Sequence, residues 1–209
     1  MFTGIVAAVG HITRVESLGQ DAGLRVQVEA PTLGLSDVAV GDSIAVQGAC
    51  MTVVAVRPTG FDFEVSRESL ARTVGLDAPG PVNLEKAMRL GDRVGGHLVS
   101  GHVDGVGTVV RFEPTGESCL LEVKAPREMA RYLAYKGSVT VDGVSLTVNR
   151  VADVADGCIV SINLVPHTLA VTTLKSLKPG DRVNLEVDMV ARYLDRMRAV
   201  DAGSAAAAG

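Results

Sequence analysis

"FTGIVAAVGHITRVE" (2–16) lies over "VSGHVDGVGTVVRFE" (99–113), setting Gly4 on Gly101, Val9 on Val106, Gly10 on Gly107 and Arg14 on Arg111. The match extends outward. "VGDSIAVQGACMTV" (40–53) aligns with "YKGSVTVDGVSLTV" (135–148), "ESL" (68–70) with "HTL" (167–169), and "VNLE" recurs at 82–85 and 183–186. Four blocks in one order, with small drifts in offset, mark a duplicated domain of about 95 residues. The chain therefore divides into 1–96, 97–188, a helical segment at 189–200 and a tail at 201–209.

Within each half the apolar period is two. "GHITRVES" (10–17), "GLRVQVEA" (23–30), "DSIAVQG" (42–48), "MTVVAV" (51–56) and "FDFEVS" (61–66) are short strand-like runs separated by Gly, Asp and Pro. This spacing predicts an all-β fold of two small closed antiparallel barrels. Three stretches depart from it: "RESLARTVG" (67–75) and "PHTLAVTTL" (166–174) read as single helical turns in matching places. "PREMARYLAYKG" (126–137) has helical apolar spacing behind a proline. In "VDMVARYLDRMRAV" (187–200), Met189, Val190, Tyr193, Leu194, Met197 and Val200 form one apolar stripe with no counterpart in the first half. A helix beyond a finished domain needs a covering surface, either an oligomer contact or its own barrel. The tail "DAGSAAAAG" (201–209) has nothing to bury and is expected to be disordered.

Composition narrows the function classes. Aromatic residues make up 3% of the chain, Trp is absent and the net charge is -4, so neither base stacking nor an electrostatic grip on nucleic acid or anionic lipid is supplied. Cys50, Cys119 and Cys158 are odd in number and lack zinc-knuckle spacing, which suits free thiols in a reducing cytoplasm. No run of about 20 apolar residues suggests a membrane span. A small-molecule or protein partner remains.

In a duplicated protein the informative positions are those where matched residues disagree. His102 faces Ile5, Asp142 faces Gln47, Ser145 faces Cys50 and Asp188 faces Ala87. Read as an extended strand, "HLVSGHVDG" puts Ser100, His102 and Asp104 on one face, with His97 on the other. The two histidines then cannot chelate one metal, and no metal site is expected. His97 reads as a turn or core histidine bonded to backbone, and His102 as the functional candidate. In "VDGVSLTV" the turn at Asp142–Gly143 is followed by Ser145 and Thr147 on one face, with Val144, Leu146 and Val148 lining the barrel. The first half repeats this, with Cys50 and Thr52 outward and Met51 and Val53 inward. A solvated face is the usual fate of such hydroxyls, but an outward free thiol is a liability unless something roofs it.

The opening "MFTGIV", with "GGHLVSGHVDG", "YKGSVTVDGVSLTVN", "PHTLAVTTL" and "GDRVNLEVDMVARYL", closely resembles the riboflavin synthase alpha-chain family over residues 1 to 200. The resemblance implies two six-stranded Greek-key barrels and a homotrimer held by the terminal helix. It implies dismutation of two 6,7-dimethyl-8-ribityllumazine molecules to riboflavin and 5-amino-6-(ribitylamino)uracil, by four-carbon transfer and without a cofactor. The working site then lies between the first barrel of one subunit and the second of its neighbour, with lumazine synthase as a further partner.

Carried over by motif, the first barrel would hold its lumazine through Gly4, Ile5, Val6, Cys50, Met51, Thr52, Glu64, Val65, Ser66, Arg67, Glu68 and Ser69. The second would use Gly101, His102, Val103, Lys136, Ser145, Leu146, Thr147, Val165, Pro166, His167, Thr168, Leu169 and Ala170. Cys50, Ser43, His102, Asp142, Ser145, Thr147 and Asp188 match positions tied to catalysis. His102 and Ser145 are expected to transfer protons, Asp142 and Asp188 to orient or act as bases, and Cys50 to face the partner ring. Met51 stands where the family commonly has Leu, a volume-conserving exchange. The rival reading is a non-catalytic lumazine- or flavin-binding antenna protein, which would lose the polar set that stands here; a ligand-free interaction barrel would leave the paired motifs without purpose.

Overall fold

A computed structural model describes residues 1–20 and 22–207, with side chains through Val200. The first half forms β1 (Ala8–Ser17), β2 (Leu24–Glu29), β3 (Ser43–Val46), β4 (Ala49–Arg57), β5 (Gly60–Val65), the short helix α1 (Arg67–Arg72) and β6 (Gly80–Lys86). The second half forms β7 (Gly105–Thr115), β8 (Ser118–Pro126), α2 (Arg127–Ala130), β9 (Ser138–Val141), β10 (Val144–Val154), β11 (Gly157–Leu164), α3 (Pro166–Val171) and β12 (Arg182–Val187). Then comes α4 (Met189–Ala207).

Each half closes into a six-stranded antiparallel barrel, in the order β1-β2-β5-β4-β3-β6 and, equivalently, β7-β8-β11-β10-β9-β12. The crossover from β2 to β3 skips two strands, as a Greek key requires. Closure needs strong local twist, and matched register breaks supply it. They fall at Ile12/Arg14 and Val53/Ala55 in one barrel, and at Val109/Arg111 and Val148/Arg150 in the other. Alternation sends Ile12, Val26, Val28, Val53, Phe61 and Phe63 into the first core, and Val109, Leu121, Val123, Val148, Val160 and Ile162 into the second.

The helical turns at 67–72 and 166–171 stand where the repeat predicts them. Of the stretch 126–137, only Arg127–Ala130 is helical; Tyr132 and Leu133 continue it as turns bonded to Met129 and Ala130. Met129 and Leu133 are the residues it buries. The last helix runs past residue 200 to Ala207, as its alanine-rich sequence favours. Of the expected tail, 208 and 209 lie outside the described residues. No helix among the described residues is long and apolar enough to cross a membrane.

The two barrels meet through the segments that open each repeat. Phe2 and Val99, matched by the alignment, pair as an antiparallel bridge, with N–H···O distances of 2.7 and 3.0 Å. Together with Ala45 they make a small third core.

Candidate active site

Each opening segment is clasped by the buried glutamate of its own "VNLE" motif. Glu85 accepts from the Thr3 amide and hydroxyl, both at 2.7 Å, and from the Gly4 amide at 2.9 Å. Glu186 accepts from the Ser100 amide at 2.8 Å, the Ser100 hydroxyl at 2.6 Å and the Gly101 amide at 2.9 Å. Burial pushes the Glu85 carboxyl up, while the Thr3 hydroxyl and the amides of Thr3, Gly4 and Ile5 pull the other way. These two glutamates were not singled out in the sequence, although the recurrence of "VNLE" was their signal.

So clasped, each segment reaches across to the other barrel. The Ser145 amide donates to the Gly4 carbonyl at 2.7 Å, and the Cys50 amide to that of Gly101 at 2.8 Å. Gly4 and Gly101 take φ of +74° and +76°, and a Cβ on either would lie 2.6 Å from Ser145 Cβ or 2.7 Å from Cys50 Cβ. Only glycine allows both the left-handed turn and the approach. Val6 packs on the second core and Val103 on the first.

This exchange corrects the expected grouping. Gly101, exposed His102 and Val103 belong with Cys50, Met51, Glu68 and Ser69 around a cleft of about 180 Å³ on the first barrel. Gly4 and Val6 belong with Ser145 and Leu146 on the second. The expected shared face of Ser100, His102 and Asp104 is also corrected, because the chain turns at Gly101 and β7 begins only at Gly105. Ser100 bonds Glu186, whereas Asp104 accepts from the Val187 amide at 2.9 Å and pairs with Arg192 at 2.7 Å.

The strand faces are as read. Cys50 and Ser145 are half-buried, Thr52 and Thr147 exposed, and Met51, Val53, Leu146 and Val148 buried. Ser43 sits opposite Thr52 on β3. Glu64 faces Arg25 at 4.0 Å, Val65 is buried, and Ser66 caps α1 by accepting from the Ser69 amide. Arg67 and Glu68 open that helix. On the second barrel, Val165 precedes α3, which carries Pro166, His167, Thr168, Leu169 and Ala170. Lys136 lies with its ammonium 3.2 Å from Asn149 Oδ1.

Two candidates stand apart. Asp142 is 2% exposed and sits between the barrels, where Oδ1 accepts from the Asn184 amide at 2.8 Å and its main-chain carbonyl accepts from Asn83 Nδ2 at 2.9 Å. Gln47 makes the mirror set: Oε1 accepts from the Asn83 amide at 3.0 Å and its carbonyl from Asn184 Nδ2 at 2.9 Å. Burial pushes the Asp142 carboxyl up to about 7, against the Asn184 amide and the Gln47 side chain. This geometry makes Asp142 a fastener between barrels rather than a base facing a cleft. Asp188 caps α4, accepting from the Val190 amide at 2.9 Å.

His97, expected to bond backbone, instead places Nδ1 2.8 Å from the Ser145 hydroxyl. The segment preceding Val99 folds over β10, a contact across 48 residues of chain that strand alternation could not reveal.

The lumazine-binding domain model matches this chain twice, over 3–87 and 100–188. The chain belongs to the riboflavin synthase family. It is 45% identical over 203 residues to riboflavin synthase of Photobacterium phosphoreum, covering 96% of this chain and 90% of that one. It is 46% identical over 201 residues to that of Mycobacterium tuberculosis, covering 94% and 98%. Among solved structures, LumP complexed with riboflavin superposes with a TM-score of 0.77 at 27% identity, over 90% of this chain and 99% of that one. LumP complexed with 6,7-dimethyl-8-(1'-D-ribityl) lumazine gives 0.75 at 26%, with the same coverage of both chains. As a member of the riboflavin synthase family, the chain has the duplication's two cross-braced barrels as its two lumazine-binding domains.

Proposed function

We propose that this enzyme dismutates two molecules of 6,7-dimethyl-8-ribityllumazine, passing a four-carbon unit from one to the other to give riboflavin and 5-amino-6-(ribitylamino)uracil. The activity is that of riboflavin synthase. One observation carries the reading: two like frames hold unlike groups. Gly101 against Cys50 and Gly4 against Ser145 are built alike, yet the first carries a thiol with exposed His102 and the second a hydroxyl with His97. Two identical molecules given opposite roles need such a pair of sites.

The ring of each lumazine supplies the electron sink, since the charge left by a proton leaving its 7-methyl group delocalises into it. The protein's work is then to hold two rings in register and move protons. The first barrel of one subunit faces the second barrel of its neighbour in a homotrimer, and the exposed stripe of α4 supports that assembly. Three free thiols suit the cytoplasm. Identity of 45% to a riboflavin synthase, against 27% to LumP, favours the synthase over a binding protein without turnover.

Incubating the purified chain with 6,7-dimethyl-8-ribityllumazine, with no cofactor added, should yield riboflavin. Lumazine bound without product would leave only the binding reading, and no binding would remove both.

A further inference from the structure

Asn83 and Asn184, the matched asparagines of the two "VNLE" motifs, lie on β6 and β12 and are 2% and 1% exposed. Neither is among the residues that the family resemblance ties to binding or catalysis. Each turns its side-chain amide to the main chain of the other repeat. Asn184 Oδ1 accepts from the Val74 amide at 2.8 Å, while its Nδ2 donates to the Val74 carbonyl at 3.0 Å and the Gln47 carbonyl at 2.9 Å. Asn83 Oδ1 accepts from the Thr173 amide at 2.8 Å, and its Nδ2 donates to the Asp142 carbonyl at 2.9 Å.

The points so gripped are the ends of cleft walls. Val74 follows Thr73, which lines the first cleft and whose hydroxyl donates to the Ser69 carbonyl of α1 at 2.7 Å. Gln47 stands at the turn from β3 into β4, just ahead of Ala49, Cys50 and Met51 on the same cleft. The second barrel repeats the arrangement. Thr173 follows Thr172, whose hydroxyl donates to the Thr168 carbonyl of α3 at 2.7 Å, and Asp142 stands at the turn into β10, which carries Ser145. A planar amide with one acceptor and two donors can stand in for a neighbouring stretch of main chain, and a buried network so engaged is stiff. Two asparagines that only joined the barrels could grip any opposed surfaces; these grip both walls of each cleft.

We propose that Asn184 and Asn83 are positioning residues for the dismutation, each setting the cleft of the barrel to which it does not belong. Asn184 fixes the first cleft from the second barrel, and Asn83 fixes the second cleft from the first. This deepens the proposed function and rests on its two lumazine sites. Holding two rings in register demands walls placed to well under an ångström, since a misplacement of about 1 Å can lower a rate about 10²-fold.

Cys50 reports on the first cleft, because it is half-buried there while Cys119 and Cys158 are buried. Alkylation of Cys50 by N-ethylmaleimide, followed by mass spectrometry, should be slowed by 6,7-dimethyl-8-ribityllumazine in the wild-type chain. In Asn184→Ala the lumazine concentration giving half-protection should rise about tenfold, the worth of the wall bonds lost. In Asn83→Ala it should stay at the wild-type value, although the mutated residue belongs to the same barrel as Cys50. Both variants should lower kcat, by up to about 10²-fold. Val74→Pro covers a misfolded Asn184→Ala: it deletes the amide that Asn184 accepts from, behind a Thr73 already extended at ψ 168°, and should weaken protection likewise. A brace with a purely structural role would lower the melting temperature without selecting a cleft. Unchanged protection in folded Asn184→Ala or Val74→Pro, or an equal loss in Asn83→Ala, would overturn the proposal. A wild-type Cys50 that lumazine leaves unprotected would instead overturn the placing of a lumazine site at that cleft.

Discussion

The amide of Cys50, in the first barrel, donates to the carbonyl of Gly101, in the loop that opens the second repeat, at 2.8 Å. That bond and its twin from Ser145 to Gly4 make the barrels interdependent: each opening segment leans on the other repeat, and Gly101, His102 and Val103 line the cleft at Cys50. Outward Cys50 and Ser145 are thereby half-buried on strand faces that a lone barrel would leave in water.

Gly101→Ala should break the first cleft. The new Cβ would lie 2.7 Å from Cys50 Cβ at φ +76°, so backbone strain and overlap add to more than about 2 kcal/mol. Gly34→Ala is the control, with a similar φ of +68° and nothing within 4 Å of the added carbon. Thermal unfolding should show a larger loss for Gly101→Ala, together with weakened lumazine binding. Equal losses would mean the contact with Cys50 matters little.

Glu186→Gln should loosen the loop that carries His102. The carboxylate accepts three hydrogen bonds, from Ser100 twice and Gly101 once, and an amide nitrogen in place of one oxygen would face a donor. The cost should be about 1–3 kcal/mol, read as a lower denaturant midpoint at constant slope, with turnover reduced as well. Unchanged stability would show that the loop holds itself.

His102→Ala should lower turnover while the barrels stay folded, because the ring is exposed at the cleft with Cys50 and supports no core contact. Steady-state kinetics beside a circular-dichroism melt checks both halves of that statement.

The strands and the repeat were legible because a barrel wall needs alternation, and alternation is written locally in runs such as "FDFEVS". The opening loops were not. Which barrel Gly4 or Gly101 leans on is decided by contacts across more than 50 residues of chain, to Ser145 and Cys50. His97 was misread for the same reason. Treating "HLVSGHVDG" as a strand paired His102 with Ser100, whereas the turn at Gly101 and the clasp of Glu186 send each side chain elsewhere. Asp142 was legible as a difference from Gln47, but the difference marks a titratable carboxyl placed in a shared fastener.

That difference predicts a pH dependence. The folded Asp142 carboxyl, pushed up to about 7 from an ordinary 3.8, holds its proton where the unfolded chain has released it. The folded state therefore binds more protons between about pH 4 and 7, and its stability falls as pH rises through that window. Asp142→Asn keeps an oxygen for the Asn184 amide without a charge, as Gln47 does for Asn83. The variant should be more stable than wild type at pH 8, by on the order of a few kcal/mol, and nearly equal to it at pH 4. Glu85 contributes in the same direction to both proteins, so the difference between their stability-versus-pH curves isolates Asp142. Parallel curves would refute the assignment.

The last helix is held by its polar side. Arg192 pairs with Asp104 at 2.7 Å, and Asp195 pairs with Arg131 at 2.7 Å and accepts from the Tyr132 hydroxyl at 3.2 Å. Val190, Tyr193, Leu194 and Met197 are left 55%, 65%, 56% and 63% exposed. An amphipathic helix docked for its own barrel's sake would bury those residues and expose the charges. Anchored this way round, it leaves the stripe free for the proposed homotrimer contact, and on that proposal truncation after Asp188 should give monomers with weak activity. Leu194→Glu is the sharper test, because it charges the stripe and leaves the polar anchors in place. Light scattering should find a monomer with a normal melt and depressed turnover, since the proposed site shared between subunits would be lost on dissociation. A trimer that survives Leu194→Glu and the truncation alike would show that the subunits meet elsewhere.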